Sequence, residues 1–232
     1  MRIAIIPARG GSKRIACKNI KEFLGVPIIG RVIGNLRDSG IFDRIIVSTD
    51  SEEIARVSKR FGAEVPFIRP SELSDDYAGT TEVVAHALKT LQLPSDTDVQ
   101  VCCVYPTSVF MNSNDLHDSL KLLQDQEWQY VFSASRPNSS PFRSFEKSRR
   151  GGVEMLFPNY WGSRSQDLPD CFVDAGFFYW AKAGSWRKAE PIFGLNSTFI
   201  ESPDFRAIDI NTESDWLRAE AIFELISSGR MK

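Results

Sequence analysis

Short apolar runs alternate with amphipathic segments along most of the chain. The runs have the length of buried strands and occupy residues 3–6, 45–47, 99–105, 130–134 and 177–180. Between and after them, apolar residues recur at intervals of three and four, which predicts helices over 27–38, 51–61, 80–91, 112–126 and around 216–226. This alternation is typical of an α/β fold, a three-layer α/β/α sandwich around a mainly parallel, Rossmann-like sheet.

The alternation stops between about residues 136 and 171. A turn-like SRRGG segment lies there among aromatic residues that follow neither a strand nor a helix period. We therefore predict a single domain over residues 1–232 with a β-rich arm inserted at about 136–171. The aromatic residues of the arm belong either to the core or to a surface that forms a homodimer; they are Phe142, Phe145, Phe157, Tyr160 and Trp161.

Charge and composition exclude several classes of protein. The chain has 28 Lys and Arg against 30 Asp and Glu, so its net charge of -2 gives no general attraction to nucleic acid or anionic lipid. The N-terminal apolar stretch ends at Pro7 and is too short for a signal peptide or a membrane span. Cys17, Cys102, Cys103 and Cys171 lack the spacing of a disulfide framework or zinc site, which predicts buried, reduced thiols in a cytoplasmic protein.

The strongest local signal is a basic loop directly after the first predicted strand. Five cations lie there with no acid before Glu22: Arg9, Lys13, Arg14, Lys18 and Lys21. Gly10 and Gly11 allow the backbone to approach a ligand closely, and open α/β sheets bind phosphates at the carboxyl ends of their strands. The loop matches neither the Walker A pattern nor the dinucleotide fingerprint, which disfavours a P-loop ATPase and a Rossmann dehydrogenase.

This loop, IIPARGGSKRIACKNIK, resembles the opening motif of the cytidylyltransferases that activate nine-carbon 2-keto-3-deoxy sugar acids, the CMP-sialic acid synthetases and their relatives. The family motif is close to IPARGGSKGIPRKNI, and Ala16 and Cys17 replace its Pro and Arg. The resemblance extends over almost the whole chain and implies CTP as the co-substrate. It places contacts to CTP at Ala8, Arg9, Gly10, Lys13, Lys18 and Asn19, with Asn19 on the ribose hydroxyls.

A second motif, RPSELSDDYAGTT, covers residues 69–81. It is similar to the family segment that binds the cytosine ring, and Arg69, Ala78 and Thr80 match the binding positions. A pyrimidine edge needs donors to its O2 and N3 and acceptors for its amino group, which a backbone loop and one Arg supply. The alternative is that Arg69 only pairs with Asp75 or Asp76 on the surface.

Two further segments indicate the sugar. The resemblance implies substrate contacts at Tyr105 and Thr107 of YPTSVF, where sialic acid synthetases carry Gln in place of Tyr105. Tyr105, with QDLP and DAGFFYW in residues 166–180, resembles instead the branch that uses pseudaminic acid; the alternative is a packed aromatic at a strand end. A sugar carboxylate favours an Arg partner, and the resemblance assigns sugar contacts to Arg143, Arg164 and Gln166, with Arg143 reaching a neighbouring subunit's site.

Asp209 and Asn211 lie two residues apart in AIDINTESDW, on a stretch predicted to be extended, so both side chains point to one side. The family motif here is commonly DID, and both acids are associated with the metal. The resemblance therefore implies that Asp209 and Asn211 bind Mg²⁺, with Asn211 the weaker ligand. The alternative is that Asp209 and Asp215 are only helix-cap or solvated acids, since acids suit a helix N-terminus.

In the implied reaction, the anomeric hydroxyl of the sugar acid attacks the α-phosphorus of CTP and pyrophosphate leaves. We expect Arg9, Lys18 and Asp209 to be catalytic: the cations stabilise charge on the phosphate oxygens, and Asp209 binds the metal or moves a proton through water. Three alternatives stay open. The chain is a CMP-N-acylneuraminate or CMP-legionaminate synthetase, a glycosyltransferase, which should carry a DxD metal motif in mid-chain, or a nucleotide-binding protein without activity.

Overall fold

The computed structural model describes residues 1–75, 77–91, 93 and 98–231. The elements of this part of the chain are β1 (Arg2–Pro7), β2 (Glu22–Phe23), β3 (Val26–Pro27), α1 (Ile28–Asp38), β4 (Arg44–Ser48), α2 (Glu52–Arg60), α3 (Thr80–Thr90), β5 (Gln100–Val104), α4 (Ser113–Asp125), β6 (Tyr130–Ser135), β7 (Phe145–Lys147), β8 (Val153–Met155), β9 (Val173–Lys182), α5 (Ala183–Arg187), β10 (Ser197–Glu201) and α6 (Glu213–Ser227).

A central sheet has the strand order β10-β6-β9-β5-β1-β4. β1 is parallel to β4 and β5, and β6 is parallel to β10, whereas β9 runs antiparallel between β5 and β6. The five predicted strands and the mainly parallel sheet are confirmed. β10 was not predicted, because its sequence STFIE lies at the sheet edge, is only partly buried and lacks a continuous apolar run.

Helices cover both faces of the sheet and complete the predicted three layers. α1, α2, α4 and α6 pack on one face around Trp180 of β9, and α3 and α5 pack on the other face around Tyr179. The predicted helices are confirmed within about three residues of their expected ends. The short α5 was not predicted; the buried indole of Trp186 anchors it by donating to the carbonyl of Val101 at 3.2 Å.

Two helix caps hold the backbone in place at Asp50 and Asn211. Ser51 caps α2, its hydroxyl accepting from the backbone N–H of Ile54 at 3.3 Å. Thr212 caps α6 in a capping box, in which the Asp215 carboxylate accepts from the backbone N–H of Thr212 at 2.8 Å. The residues immediately before these caps, Asp50 and Asn211, are therefore held in place by helix starts.

The arm at 136–171 contains less strand than predicted. Its only strands among the described residues are β7 and β8, which form a small hairpin. Pro141, Pro158 and the glycines of the hairpin turn interrupt longer strands, so turns make up much of the remainder. The arm's aromatic residues lie outside the buried core; the side chains of Phe145 and Trp161 are 62% and 76% exposed.

The cysteines are all free, but only two of them are buried. Cys102 and Cys103 lie in β5 on opposite faces of the sheet, and burial raises the pKa of both thiols. Cys17 is exposed and Cys171 is half-buried, so the prediction of buried thiols is wrong for these two, which lie in loops. Across the described ranges, every helix is too short or too polar to cross a membrane.

Candidate active site

An open cleft of about 450 Å³ lies at the carboxyl ends of β1 and β5. Parallel strands of an open α/β sheet direct their following loops to this edge, so segments distant in sequence meet here. The cleft is lined by most of the predicted site residues, namely Arg9, Lys13, Lys18, Asn19, Arg69, Ala78, Thr80, Tyr105, Thr107, Asp209 and Asn211. Their convergence supports the predicted location of the site.

The loop after β1 is held at both ends. Ala8 is buried, and its N–H donates to the carbonyl of Ser48 at 2.9 Å. Gly10 donates its N–H to the Asp50 carboxylate at 2.8 Å, and an added Cβ at Gly10 would lie 3.1 Å from the Ser51 Cβ. Ala8 and Gly10 thus lie behind the cleft lining and position the loop. Asn19 ties the loop further, because its amide donates to the Arg9 carbonyl at 2.9 Å.

Lys18 is a partly buried cation of this loop. Its ammonium donates to the carbonyl of Ile210 at 2.8 Å. Burial lowers the pKa of Lys18, and the neighbouring Arg14 and Arg9 lower it further, while Asp209 acts in the opposite direction. A bound anion would offset both the burial and the repulsion among the cations. The cleft is therefore suited to phosphate groups.

Arg69 is buried at the base of the cleft, with 3% of its side chain exposed. Its Nε donates to the Ser74 hydroxyl at 3.2 Å, and its Nη2 lies 4.0 Å from the Asp50 carboxylate. Burial lowers the pKa of Arg69 although Asp50 opposes this. The alternative pairing with Asp75 does not occur, because the Asp75 carboxylate accepts instead from the backbone N–H groups of Tyr77 and Ala78. The other suggested partner, Asp76, lies outside the described residues.

Tyr105 stands between the cleft and a second cavity of about 290 Å³. Its hydroxyl shares a 2.7 Å hydrogen bond with the Thr80 hydroxyl, and its ring packs edge-on against Tyr179. Burial raises the pKa of Tyr105, so the phenol stays protonated. The second cavity is also lined by Asp174, which accepts from the Tyr179 hydroxyl, and by Phe193. Tyr105 is thus both packed and placed to contact a ligand.

The predicted metal ligands lie together at the open side of the cleft. The Asn211 amide donates to the Asp209 carboxylate, and its carbonyl oxygen accepts from Arg14 at 2.6 Å. Within the described ranges, no group of three or more His, Cys, Asp and Glu side chains could hold a metal by itself. One carboxylate and one amide beside a phosphate site nevertheless fit Mg²⁺, which takes few protein ligands and completes its shell with phosphate oxygens and water.

Three predicted sugar contacts lie on the arm rather than in the cleft lining. Arg143 donates to the carbonyl of Ser163, and Arg164 pairs with Asp167 at 2.8 Å. Gln166 is exposed in a single turn of 3-10 helix. These residues do not line the cleft of the described chain, and their roles stay predictions.

Sequence reasoning missed Asp50 and the site role of Arg14. Asp50 directly follows β4, a position at the same sheet edge as the loop after β1, and this placement was the available signal. Arg14 was counted among the basic residues, but its contact with Asn211, 197 positions away, depends on the tertiary structure.

Comparisons with known proteins agree with the cleft. The cytidylyltransferase family matches residues 3–144. Pseudaminic acid cytidylyltransferase of Campylobacter jejuni is 38% identical over 223 residues, which are 96% of this chain and 96% of that protein. N-acylneuraminate cytidylyltransferase B of Danio rerio is 32% identical over 220 residues, 94% of this chain and 50% of that protein. A solved structure of CMP:2-keto-3-deoxy-manno-octonic acid synthetase complexed with CTP has a TM-score of 0.72 at 13% identity, covering 97% and 99% of the two chains.

The fold, the cleft and these similarities define a nucleotidyltransferase. The chain belongs to the cytidylyltransferase family, which confirms the predicted resemblance. Family membership also argues against the glycosyltransferase alternative. The sequence has one mid-chain DxD triplet, at residues 96–98, of which the structure describes only Asp98. Asp98 precedes β5 and so lies at the sheet edge opposite the cleft.

Proposed function

We propose that this chain transfers CMP from CTP to the anomeric hydroxyl of pseudaminic acid. A bond forms between the anomeric oxygen and the α-phosphorus, the bond from that phosphorus to the β-phosphate oxygen breaks, and pyrophosphate leaves. The observation that carries the proposal is the convergence of Arg9, Lys13 and Lys18 with Arg69 in one cleft beside Asp209. The similarity to pseudaminic acid cytidylyltransferase over 96% of the chain supports the choice of sugar.

The cations of the loop after β1 are proposed to bind the triphosphate. A bound anion would stabilise the charged form of Lys18, because burial and the neighbouring Arg14 and Arg9 lower its pKa. With Arg9 and Lys13 it would stabilise the charge that develops on the phosphate oxygens during attack. Ala8 and Gly10 hold the backbone of this loop in position. Arg9 and Lys18 are therefore the proposed catalytic cations.

The cytidine moiety is proposed to lie across the floor of the cleft. Arg69 is fixed by Ser74 and Asp50, so its remaining donor hydrogens have a defined direction towards the cytosine edge. Ala78 and Thr80 line the same region. The side-chain NH2 group of Asn19 donates to the Arg9 carbonyl. Its side-chain oxygen is then an acceptor for the ribose hydroxyls.

Asp209 and Asn211 are proposed to hold Mg²⁺. When bound, the ion would neutralise phosphate charge and polarise the α-phosphoryl group. Asp209 is the one charged group of the pair, so it is expected to dominate binding and to accept a proton through water if no metal takes that role. Loss of turnover in Asp209→Ala that returns at high Mg²⁺ would favour the metal-binding role.

The sugar acid is proposed to lie beyond Tyr105, which borders both cavities. Tyr105 and Thr107 would contact it from the strand end. Arg143, Arg164 and Gln166 are proposed to bind it from the arm, with Arg143 reaching the site of a second copy in a homodimer. Exposed Trp161 and Phe145 on the arm support such a dimer, because large exposed aromatics are typical of interfaces. Light scattering should give a dimer mass that Trp161→Ser lowers.

The nucleotide part of the proposal is tested by pyrophosphate release with CTP, UTP, ATP and GTP in the presence of pseudaminic acid. Turnover is expected with CTP and lost in Arg69→Met, while Arg149→Met, at an exposed turn, is the matched control. Turnover with another nucleotide in preference to CTP would overturn the assignment. Free cysteines support a cytoplasmic location, which fractionation of expressing cells would test.

Two other functions retain a supporting observation. The 32% identity to an N-acylneuraminate cytidylyltransferase favours a different nonulosonic acid, the legionaminate relative included, with the same chemistry. Asn211 in place of the second family acid favours a protein that binds nucleotide without turnover. Binding of CTP by calorimetry without pyrophosphate release would favour that last candidate.

A further inference from the structure

The side chains of Arg14, Asn211 and Asp209 form a chain of hydrogen bonds in the lining of the cleft. Arg14 Nη2 lies 2.6 Å from the Asn211 Oδ1, and the Asn211 Nδ2 donates to the Asp209 Oδ2. These partners fix the orientation of the Asn211 amide. Because a guanidinium only donates and a carboxylate only accepts, the amide oxygen must face Arg14 and the amide nitrogen must face Asp209. An acid at position 211 would instead face Asp209 with a like charge.

We propose that Asn211 is a neutral spacer that keeps Arg14 and Asp209 from neutralising each other, so that Arg14 binds the triphosphate while Asp209 stays available for a divalent cation. This inference rests on the proposed function and adds Arg14 as a phosphate-binding residue. Towards the triphosphate, Asn211 is then a positioning residue that acts through Arg14, in addition to its proposed place beside Asp209 at the metal. All three side chains line the cleft, and Arg14 is near enough to Lys18 to lower the pKa of that lysine.

The backbone around Asn211 makes the spacer rigid. Its N–H donates to the Asp215 carboxylate at 3.1 Å, within the capping box that starts α6. On the other side, the Ile210 carbonyl accepts from Lys18 at 2.8 Å. Position 211 is therefore fixed between the phosphate loop and a helix start, and its side chain cannot leave Arg14 without rotating within the cleft.

The first test measures CTP binding by calorimetry in EDTA, so that no divalent cation contributes. Asn211→Asp is expected to pair with Arg14 and weaken CTP binding about tenfold, as is Arg14→Gln, which removes the same charge. Asn211→Gln keeps a neutral amide between Arg14 and Asp209 and should bind CTP more tightly than Asn211→Asp does. Asn114→Asp, exposed at the start of α4 and absent from the cleft lining, is the control with the same change in net charge.

The double variant Arg14→Gln/Asn211→Asp separates this proposal from simple repulsion between a new carboxylate and CTP. If Asn211 acts through Arg14, the double variant binds CTP about as well as Arg14→Gln alone. Equal weakening by Asn211→Asp in both backgrounds overturns the proposal, and so does wild-type affinity in Arg14→Gln. Thermal melting checks that each variant is folded.

The second test measures binding of Mn²⁺ alone by electron paramagnetic resonance. Asn211→Asp is expected to bind Mn²⁺ several-fold more tightly than wild type, opposite in direction to its effect on CTP. Parallel loss of both affinities overturns the spacer role. Failure of the wild-type chain to bind CTP, with or without Mg²⁺, would instead refute the proposed function itself.

Discussion

Asp50 makes the clearest stability prediction, because it is the carboxylate partner of a buried arginine. Its carboxylate accepts from the Gly10 N–H at 2.8 Å and lies 4.0 Å from the Arg69 Nη2. The side chain of Arg69 is 3% exposed and that of Asp50 is 29% exposed. Asp50→Asn keeps the shape and an acceptor for Gly10 but leaves Arg69 without a nearby negative charge.

The magnitude follows from the distance and the exposure. Two unit charges 4 Å apart attract by about 4 kcal/mol at an effective dielectric constant near 20. Water at the exposed side of Asp50 screens part of this, so we expect Asp50→Asn to lower the free energy of unfolding by about 2 kcal/mol. For a chain of this size, that loss lowers the melting temperature by roughly 4–8 °C.

Calorimetric melting of Asp50→Asn, Arg69→Met and the double variant tests this reasoning. If the cost arises from a buried charge left unpaired, the double variant should be about 1–2 kcal/mol more stable than the sum of the single effects predicts. Additive effects would show that the two side chains do not interact, and an unchanged melting temperature in Asp50→Asn would refute the electrostatic account of the loop.

Three further predictions concern single positions. The lowered pKa of Lys18 means that this lysine loses its proton, and CTP affinity falls, at lower pH than for a solvated lysine; Lys18→Arg should keep calorimetric affinity to higher pH. Gly30→Ala would bring a Cβ within 2.7 Å of the Phe61 ring and should cost about 1–3 kcal/mol in urea unfolding, whereas Gly34→Ala meets nothing within 4 Å and should not destabilise. Tyr105→Phe removes a hydroxyl at the wall between the cavities and should raise KM for the sugar acid about fivefold, which is more than it raises KM for CTP through the lost bond to Thr80; an equal rise in both would contradict this placement.

The layers of the fold were predictable because burial imposes its period on the sequence. β1 and β5 are interior strands of the sheet and each contains a continuous apolar run, and Ser51 and Thr212 mark helix starts by their capping chemistry. β10 at the sheet edge lacks a continuous apolar run, because it is only partly buried. The arm was recognised as a break in the pattern, but its proline and glycine turns left little strand.

The candidate site was predictable where its residues share a motif and not where they meet only in space. The loop after β1 concentrates Arg9, Lys13 and Lys18 in one segment, so their convergence is visible from the sequence alone. Asp50 and the contact between Arg14 and Asn211 come from separate segments, and their meeting depends on the order of strands in the sheet. No motif or hydrophobic period in the sequence indicates that these residues will meet.

The most direct test of the proposed function is CTP-dependent pyrophosphate release with Mg²⁺, run in parallel with pseudaminic acid, legionaminic acid and N-acetylneuraminic acid. We predict turnover with pseudaminic acid and a product whose mass is that of CMP-pseudaminic acid, with little release from the other two acids. Turnover confined to either of those acids would contradict the proposed substrate. Absence of release with all three acids, while CTP still binds, would contradict the transferase activity itself.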